Sequence, residues 1–357
     1  MASSVVGLDI GRTAVRAVEL RRGRTVRRFG SVPLAPGSVE TGVVSDPRAV
    51  TAALRELWKK EHFSTRVVRL GVCSGSVLVR QVELDWMPPA DLRKALRYQV
   101  ADLLPVAVED ANLDHVLLGE AQRTDPETGR SRRVARLLLV ATARGAVDET
   151  VRAVRAAGLR PVTADLSPLA LVRAAGAAHR REGSTGQGAE AVIDLGADKV
   201  AVAVHTDGVP HFVRVVPGIG GDLVTQLLTE STGLDWGSAE RAKHARPAAP
   251  AGDGSADPHR QAVQEALSRL VEEVRTTLDF HSATDPDHVA RRAVVVGAGS
   301  VDALLREEVG RQLGLPVTAL GLDSVLGTAG VAKAGRKGAV PGPELVTSAS
   351  LCLGAIA

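Results

Sequence analysis

Cysteine and aromatic residues are both scarce in this chain of 357 residues. Only Cys73 and Cys352 are present, and neither lies in a CxxC or a histidine-rich context, which argues against a disulfide framework or a zinc site and favours a reducing compartment. Aromatic residues make up 2% of the chain, although 45% of it is apolar. Valine, leucine and alanine are therefore expected to form the core, as in α/β proteins with buried sheets.

Charge of a single sign is also lacking. Lys and Arg total 44 and Asp and Glu total 41, so the formal net charge is only +3, and there is no basic tail. This balance argues against nucleic acid as a partner. No apolar run approaches the roughly 20 residues of a membrane span, and the first residues lack the charged and apolar regions of a signal peptide. These absences favour a cytoplasmic protein without a direct membrane span.

A pattern of strand, carboxylate and glycine turn occurs twice. Val5–Thr13 indicates a strand that carries Asp9 near its end, a glycine turn and a returning strand, and Ala191–His205 repeats the pattern around Asp194. Two such hairpins in a chain of this length predict two related halves that face each other across a cleft. If Asp9 is considered without its second copy, it also fits an ordinary aspartate whose side chain hydrogen-bonds the backbone of its own turn.

The rest of the pattern predicts a two-lobed α/β fold. Asp46-Pro47 marks the start of a helix that covers the first sheet. A unit of strand, helix, strand and strand then interrupts the first lobe and predicts a small inserted α+β subdomain. The expected divisions are 1–75 and 142–182 for the first lobe, 76–141 for the inserted subdomain, 189–235 and 282–357 for the second lobe, and 236–281 for a helical subdomain with a mobile loop at 245–260.

Two facing glycine turns are suited to hold a polyphosphate. Glycine has no Cβ, so the backbone N–H groups of such a turn can approach phosphate oxygens closely. Thr13 adds a hydroxyl donor to the first turn. Asp9 and Asp194 are expected at the strand ends beside the phosphates, where carboxylates hold Mg²⁺ directly or through its waters. The sequence thus predicts a site for a nucleotide with its metal.

Five short segments resemble, in their order, the nucleotide-binding segments of the actin-like ATPase superfamily. They are Gly7–Gly11, Ile193–Gly196, Gly220-Gly221, Ala239–Lys243 and Val296–Gly299. Within the superfamily the chain resembles the PilM family of type IV pilus assembly, which is close to the division protein FtsA, over nearly its whole length. The resemblance implies the actin-like, ribonuclease H-like ATPase fold, with ATP and Mg²⁺ as cofactors.

The resemblance also implies a role for each matched position. Asp9 and Asp194 would position Mg²⁺. Gly11, Arg12, Thr13, Gly196 and Ala197 would cradle the phosphates, and Lys199, Gly220 and Gly221 are further candidate cofactor-binding positions. Glu240 and Lys243 would reach the ribose and adenine, although at (i, i+3) spacing they also fit a solvent-facing ion pair. The nucleoside side would be lined by Gly297, Gly299 and Ser300.

Three positions depart from the family pattern. Arg12 stands where serine is common, and either adds charge at the phosphates or points outward. Lys199 stands where a small hydroxyl residue is usual. At Ser167, before Pro168, many actin-like ATPases carry an acidic residue or glutamine that orients the attacking water, and serine is a poorer general base. Asp165 is the nearest candidate catalytic carboxylate, and slow or absent hydrolysis is expected.

The function that the resemblance implies is a cytoplasmic ATP-binding scaffold. Its partner would be the cytoplasmic N-terminal tail of a PilN-type membrane protein, bound between the first lobe and the inserted subdomain, with other inner-membrane pilus components nearby and a homo-oligomer left open. The protein would then lie at the inner face of the membrane through its partners. Two alternatives are an FtsA-like filament protein and a sugar or carboxylate kinase. Ser348–Ala357 carries no basic side chain, unlike the membrane helix of FtsA.

Overall fold

A computed structural model describes residues 4–21, 25–124, 129–244, 257–297, 300, 303–331 and 341–354. Its strands are β1 (Ser4–Ile10), β2 (Ala14–Arg21), β3 (Thr25–Pro33), β4 (Val39–Glu40), β5 (Val43–Val44), β6 (Val67–Val72), β7 (Leu78–Asp85), β8 (Ala111–Thr124), β9 (Ser131–Ala143), β10 (Arg160–Leu166), β11 (Ala189–Leu195), β12 (Lys199–Thr206), β13 (Val209–Pro217), β14 (Ala290–Val296) and β15 (Val317–Ala319). Its α-helices are α1 (Pro47–Glu61), α2 (Pro89–Gln99), α3 (Arg144–Ala156), α4 (Ser167–Glu182), α5 (Gly221–Thr232), α6 (Trp236–His244), α7 (Pro258–Thr284), α8 (Ala303–Leu313), α9 (Leu322–Leu326), α10 (Thr328–Val331) and α11 (Val346–Leu351).

Two mixed sheets with the same plan form the centres of the two lobes. Within the described residues, the first has the order β10-β6-β1-β2-β3 and the second the order β13-β12-β11-β14-β15. In each sheet three antiparallel strands formed by consecutive hairpins continue into two strands that run parallel to the first of them. The predicted α/β fold with a duplicated hairpin is therefore confirmed.

Apolar residues of β1 and α1 form one core of the first lobe. Val6 and Leu8 of β1 and Leu54 of α1 are fully buried in it. The carboxylate of Asp46 accepts hydrogen bonds from the N–H groups of Arg48 (2.9 Å) and Ala49 (3.1 Å), which satisfies the free donors of the first turn of α1. The helix predicted to start at Asp46-Pro47 thus begins there and covers the sheet as expected.

The inserted subdomain is a three-stranded sheet, with the order β7-β9-β8, and one helix. Leu92 and Leu96 of α2 pack against Leu137 and Leu139 of β9. The helical pattern in the sequence extends to Leu104, but α2 ends at Gln99 and a 3₁₀ turn follows. Pro105 disfavours helical backbone at the residue before it, which accounts for the extended Leu104 but not for the earlier end of α2.

The C-terminal helix α11 packs on the first sheet. The carbonyl oxygen of Ser348 lies against Gly7 of β1, and α11 also contacts β2, β6 and α4. The sequence-based division placed residues 282–357 with the second lobe, and the structure differs from it here. The physical reason is burial: the small and apolar side chains of α11, among them Val346 and Ala349, cover the face of β1 and β2 that α1 leaves open.

Candidate functional site

A cavity of about 580 Å³ lies between the two lobes, where the two equivalent turns meet. The residues named from the sequence that line it are Asp9, Gly11, Arg12, Thr13, Asp194, Gly196, Ala197, Lys199, Gly220, Gly221, Glu240, Lys243 and Gly297. They come from β1, β11, the start of β12, α5, α6 and the turns that follow the strands. The structure therefore brings most of the residues named from the sequence to one place.

The two glycine turns have the same geometry. The N–H of Gly11 donates to the carbonyl of Ala14 and the N–H of Gly196 donates to the carbonyl of Lys199, each at 3.0 Å. These two N–H groups close their own turns, so they are not available to phosphate oxygens. The N–H groups of the following residues Arg12, Thr13 and Ala197, which also line the cavity, are the candidates for that contact.

The N-terminus of α5 is tied to the second turn. The N–H of Gly221 donates to Gly196 O (3.0 Å), and the N–H of Asp222 donates to Ala197 O (2.7 Å). A Cβ at Gly220 would lie 2.5 Å from Ala197 O, so only glycine allows this approach. The N–H groups of Gly221 and Asp222 are therefore occupied, and what α5 offers the cavity that these two residues line is the positive end of its helix dipole, which favours an anionic ligand.

Asp9 and Asp194 occupy equivalent positions, each one residue before the end of its strand. Burial raises the pKa of Asp194 to about 6, and the nearby charge of Asp9 adds to this rise. Nη1 of Arg16, a residue that the sequence did not single out, lies 3.7 Å from Oδ2 of Asp9. Two carboxylates that line the same cleft are hard oxygen ligands of the kind that a divalent cation prefers, so the donor set fits Mg²⁺.

Arg12 spans the cleft. Its guanidinium forms an ion pair with Asp222 at the N-terminus of α5. It therefore does not point outward, and its charge at the cavity is already shared with a carboxylate. A second contact joins the lobes, because the N–H of Thr41 donates to Oδ2 of Asp198 (2.6 Å). Lys199 Nζ lies 3.2 Å from Oδ1 of Asp198. Asp222 and Asp198 were not predicted, since their partners across the cleft are far away in the chain.

Glu240 and Lys243 form a partly buried pair that faces α5. Lys243 Nζ donates to Glu240 Oε2 (2.6 Å) and to Thr225 Oγ1 (3.0 Å), and Thr225 also donates to Glu240 (2.6 Å). Burial raises the pKa of Glu240, but the hydrogen bonds from Lys243 and Thr225 outweigh it and hold that pKa below its usual value. The pair is thus a fixed part of the cavity wall, and not a solvent-facing pair.

Asp165, the predicted catalytic carboxylate, does not line the cavity. It is paired with Arg173 of α4; burial raises its pKa and the charge of Arg173 opposes that rise. Ser167, at the start of α4, lines the cavity, and among the described residues its buried Oγ has no hydrogen-bond partner. The side chain that faces the cleft at this point is therefore a serine and not a carboxylate.

The last glycine loop is only partly described. Gly297 lines the cavity with φ +104°, and a Cβ there would lie 2.5 Å from Leu195 O, so this position requires glycine. Gly299 lies outside the described residues. Ser300 is fully buried and does not line the cavity, and its carbonyl accepts a hydrogen bond from Arg306. The structure therefore does not bring Ser300 to the cavity with the other residues named from the sequence.

Two mixed sheets of the same plan, with the glycine turns facing each other across a cleft, define a protein with the mixed α/β fold of the actin-like ATPases. Residues 7–326 match the model of the family described as type IV pilus assembly protein PilM, and the chain belongs to that family. The PilM family, which the chain was expected to resemble over nearly its whole length, is thereby confirmed. A comparison with curated proteins found no match.

Several solved structures share this fold. One is described as the PilM-PilN type IV pilus biogenesis complex, with a TM-score of 0.80 and 22% identity over 99% of this chain and 98% of that chain. Another is ethanolamine utilization protein EutJ from Carboxydothermus hydrogenoformans, with a TM-score of 0.56 and 17% identity over 99% and 90%. The diol dehydratase-reactivating factor in nucleotide free form has a TM-score of 0.52 and 11% identity over 98% of this chain and 99% of that chain.

Among the described residues, no helix has the length and apolar character needed to cross a membrane.

Proposed function

We propose that this chain binds ATP with Mg²⁺ in the cleft and acts as a scaffold in type IV pilus assembly. The observation that carries the ATP proposal is the convergence of both glycine turns, both strand-end aspartates and the N-terminus of α5 on one cavity of about 580 Å³. The cavity thus offers three groups that complement Mg²⁺-ATP. They are backbone donors for the phosphates, carboxylates for Mg²⁺, and the wall formed by Glu240 and Lys243 for the nucleoside. Bound Mg²⁺ would neutralise charge between the two carboxylates and the phosphates.

Replacement of either strand-end aspartate is expected to abolish copurification of ATP. Native mass spectrometry of the wild-type chain should show a nucleotide adduct, and Asp9→Ala and Asp194→Ala should each weaken ATP binding by about 100-fold in the presence of Mg²⁺. Asp85→Ala is a matched control, because Asp85 lies at the end of β7 in an exposed ion pair with Arg132. Retention of ATP by both cleft variants would contradict the site, and failure of the wild type to bind ATP would contradict the proposal.

Hydrolysis is expected to be slow. The side chain that the cleft presents before Pro168 is Ser167, which cannot act as a carboxylate base, and Asp165 is held by Arg173 outside the cavity. Turnover of ATP by the purified chain should therefore stay well below the rate of about 1 per second that is ordinary for enzymes. A phosphate-release assay measures this, and a rate at or above that value would show that another group activates water.

The proposed partner is the N-terminal tail of a PilN-type membrane protein. The family supports this, as does the solved PilM-PilN complex, whose fold this chain shares. We place the tail between the first lobe and the inserted subdomain, residues 76–141. There Arg144 donates to the carbonyls of Glu109 (2.9 Å) and Ala111 (3.0 Å), which fixes the subdomain against the lobe. Val106, which precedes Glu109 in the same segment of the chain, is 45% exposed. Through such partners the protein would lie at the inner face of the membrane.

A charge at Val106 is expected to weaken binding of the partner's tail. An exposed apolar side chain next to a fixed junction is a suitable anchor for an extended peptide, and a carboxylate there would be left in an apolar contact. Fluorescence anisotropy with a labelled tail peptide should show about tenfold weaker binding for Val106→Asp. Val209→Asp is the control, since Val209 on the second lobe is equally exposed at 48%. If the two variants bound the tail peptide with equal affinity, the tail would bind at a surface other than the one that contains Val106.

The apolar face of α2 is unsuitable for this test. A sequence-based design would make the face of Met87–Pro105 polar, but Leu92, Leu96 and Val100 are buried against β9. Polar substitutions at these residues would unfold the inserted subdomain, because each would bury an unpaired polar group. Loss of binding in such a variant would therefore not identify the binding surface.

A further inference from the structure

A cluster of two histidines and an aspartate lies outside the cleft. His211 is on β13, Asp285 follows the end of α7, and His288 ends the 3₁₀ turn Pro286–His288. One ligand atom from each of the three side chains lies within 4.8 Å of the others. None of the three lines the cleft cavity, so the cluster is independent of the proposed nucleotide site.

Hydrogen bonds from neighbouring groups orient each member of the cluster. Oδ1 of Asp285 is 2.9 Å from Nδ1 of His288, and its Oδ2 accepts from Gln81 Nε2 at 3.2 Å. Nε2 of His211 is 3.0 Å from Thr206 Oγ1, which leaves its other ring nitrogen for a ligand bond. In metal sites such outer hydrogen bonds fix the imidazole tautomer and the direction of the carboxylate.

The cluster is buried on most sides and open on one. His211 and Asp285 are 8% and 9% exposed, whereas the side chain of His288 is 29% exposed. The two imidazoles stack with centroids 3.6 Å apart and planes at 16°, so a shared ion requires one ring to turn about its Cβ–Cγ bond. That torsion is soft, and the ring of His288, the more exposed of the two, would leave the stack when it turns to share an ion.

We propose that His211, Asp285 and His288 bind one divalent transition-metal ion of the Zn²⁺ type, with solvent in the remaining position. Two imidazoles and a carboxylate suit Zn²⁺, Co²⁺ or Ni²⁺, whereas Mg²⁺ prefers oxygen ligands. The scarcity of cysteine argues only against zinc sites with cysteine ligands. It does not bear on the proposed site, which has no cysteine ligand. The ion would join β13 to the segment between α7 and β14.

The site also reaches the inserted subdomain. Nε2 of Gln81, on β7, donates both to the carbonyl of His211 (2.8 Å) and to the carboxylate of Asp285. An ion held by Asp285 and His211 would therefore stiffen the contact between the inserted subdomain and the second lobe. Gln81 acts as a positioning residue, because it contacts the carboxylate and not the proposed ion.

The test is a binding experiment on the full chain made without a polyhistidine tag. Competition with a chelating dye in excess Mg²⁺ should show one Zn²⁺ per chain, and Co²⁺ should give the visible d–d bands of a nitrogen and oxygen site without a thiolate band. His288→Asn should weaken Zn²⁺ binding by at least about 100-fold, and Gln81→Ala by about tenfold. His62→Asn is the matched control, because His62 is exposed and its φ of +51° is tolerated by asparagine.

Three results would overturn the proposal. They are the absence of stoichiometric Zn²⁺ binding, full affinity in His288→Asn, and loss of the ion in Asp194→Asn, which would place it in the cleft. His288 is partly exposed, so its variant is expected to fold, and circular dichroism checks this. A second readout is NMR: the ring signals of His211 and His288 should shift with Zn²⁺ in the wild type, whereas the His211 ring signal should not shift in His288→Asn.

Discussion

Glu190→Gln is expected to lower the free energy of unfolding by about 3 kcal/mol, because it breaks a buried charge cluster. Glu190 on β11 is 3% exposed. Its Oε2 accepts from Arg292 Nε at 2.9 Å, and its Oε1 lies 3.0 Å from His179 Nε2 and 3.2 Å from His205 Nε2. Glutamine keeps the shape but removes the charge that compensates Arg292.

The pH dependence of this effect has a definite sign. Burial raises the pKa of Glu190, but His205, His179 and Arg292 outweigh it and hold that pKa below its usual value. A group whose pKa is lower in the folded state stabilises the fold above its unfolded pKa, and this contribution disappears as the pH falls through the folded pKa. The difference between wild type and Glu190→Gln should therefore be full at neutral pH and shrink in acid below the ordinary pKa of glutamate.

Urea unfolding followed by circular dichroism measures the effect. Glu308→Gln is the control, since Glu308 forms an exposed pair with Arg311 on α8, and no measurable change is expected there. If the midpoint of Glu190→Gln equalled that of the wild type, the buried cluster would not contribute to stability. Since β11 carries both Glu190 and Asp194, a loosened strand should also weaken ATP binding.

Gly7→Ala is expected to destabilise the first lobe by at least about 3 kcal/mol. A Cβ at Gly7 would lie 1.8 Å from the carbonyl oxygen of Ser348 in α11 and 3.1 Å from Sγ of Cys352. The first of these contacts is with backbone, so rotation of a side chain cannot relieve it, and α11 would have to leave the sheet. The same strand carries Asp9, so the displacement would reach the cleft.

The matched control is Gly145→Ala. No heavy atom lies within 4 Å of a Cβ at Gly145, which is in the first turn of α3. Alanine there should leave stability unchanged or raise it by up to about 1 kcal/mol, because alanine has the higher helix propensity. Thermal unfolding of both variants decides the matter, and a Gly7→Ala variant as stable as the wild type would show that α11 does not pack on β1 in solution.

Sequence and structure agree where the signal is local. The hairpin from Val5 to Leu20 and its second copy could be predicted from the sequence. The reason is that the apolar strand, the carboxylate and the glycine turn are all encoded by neighbouring residues. The start of α1 at Pro47 was readable from its cap. The convergence of the two turns on one cleft followed from duplication, and the structure brings them together as expected.

The sequence by itself determined the fold class, the family and the two glycine turns with their strand-end aspartates that meet at the cleft. Only the tertiary structure decided that Arg12 pairs with Asp222, that Asp165 is turned away to Arg173, that α11 returns to the first sheet, and that His211, Asp285 and His288 meet. The physical reason is the range of the interactions. Turns, caps and strand periodicity depend on residues within a few positions of each other, whereas most of these contacts join segments brought together only when the sheets and helices pack.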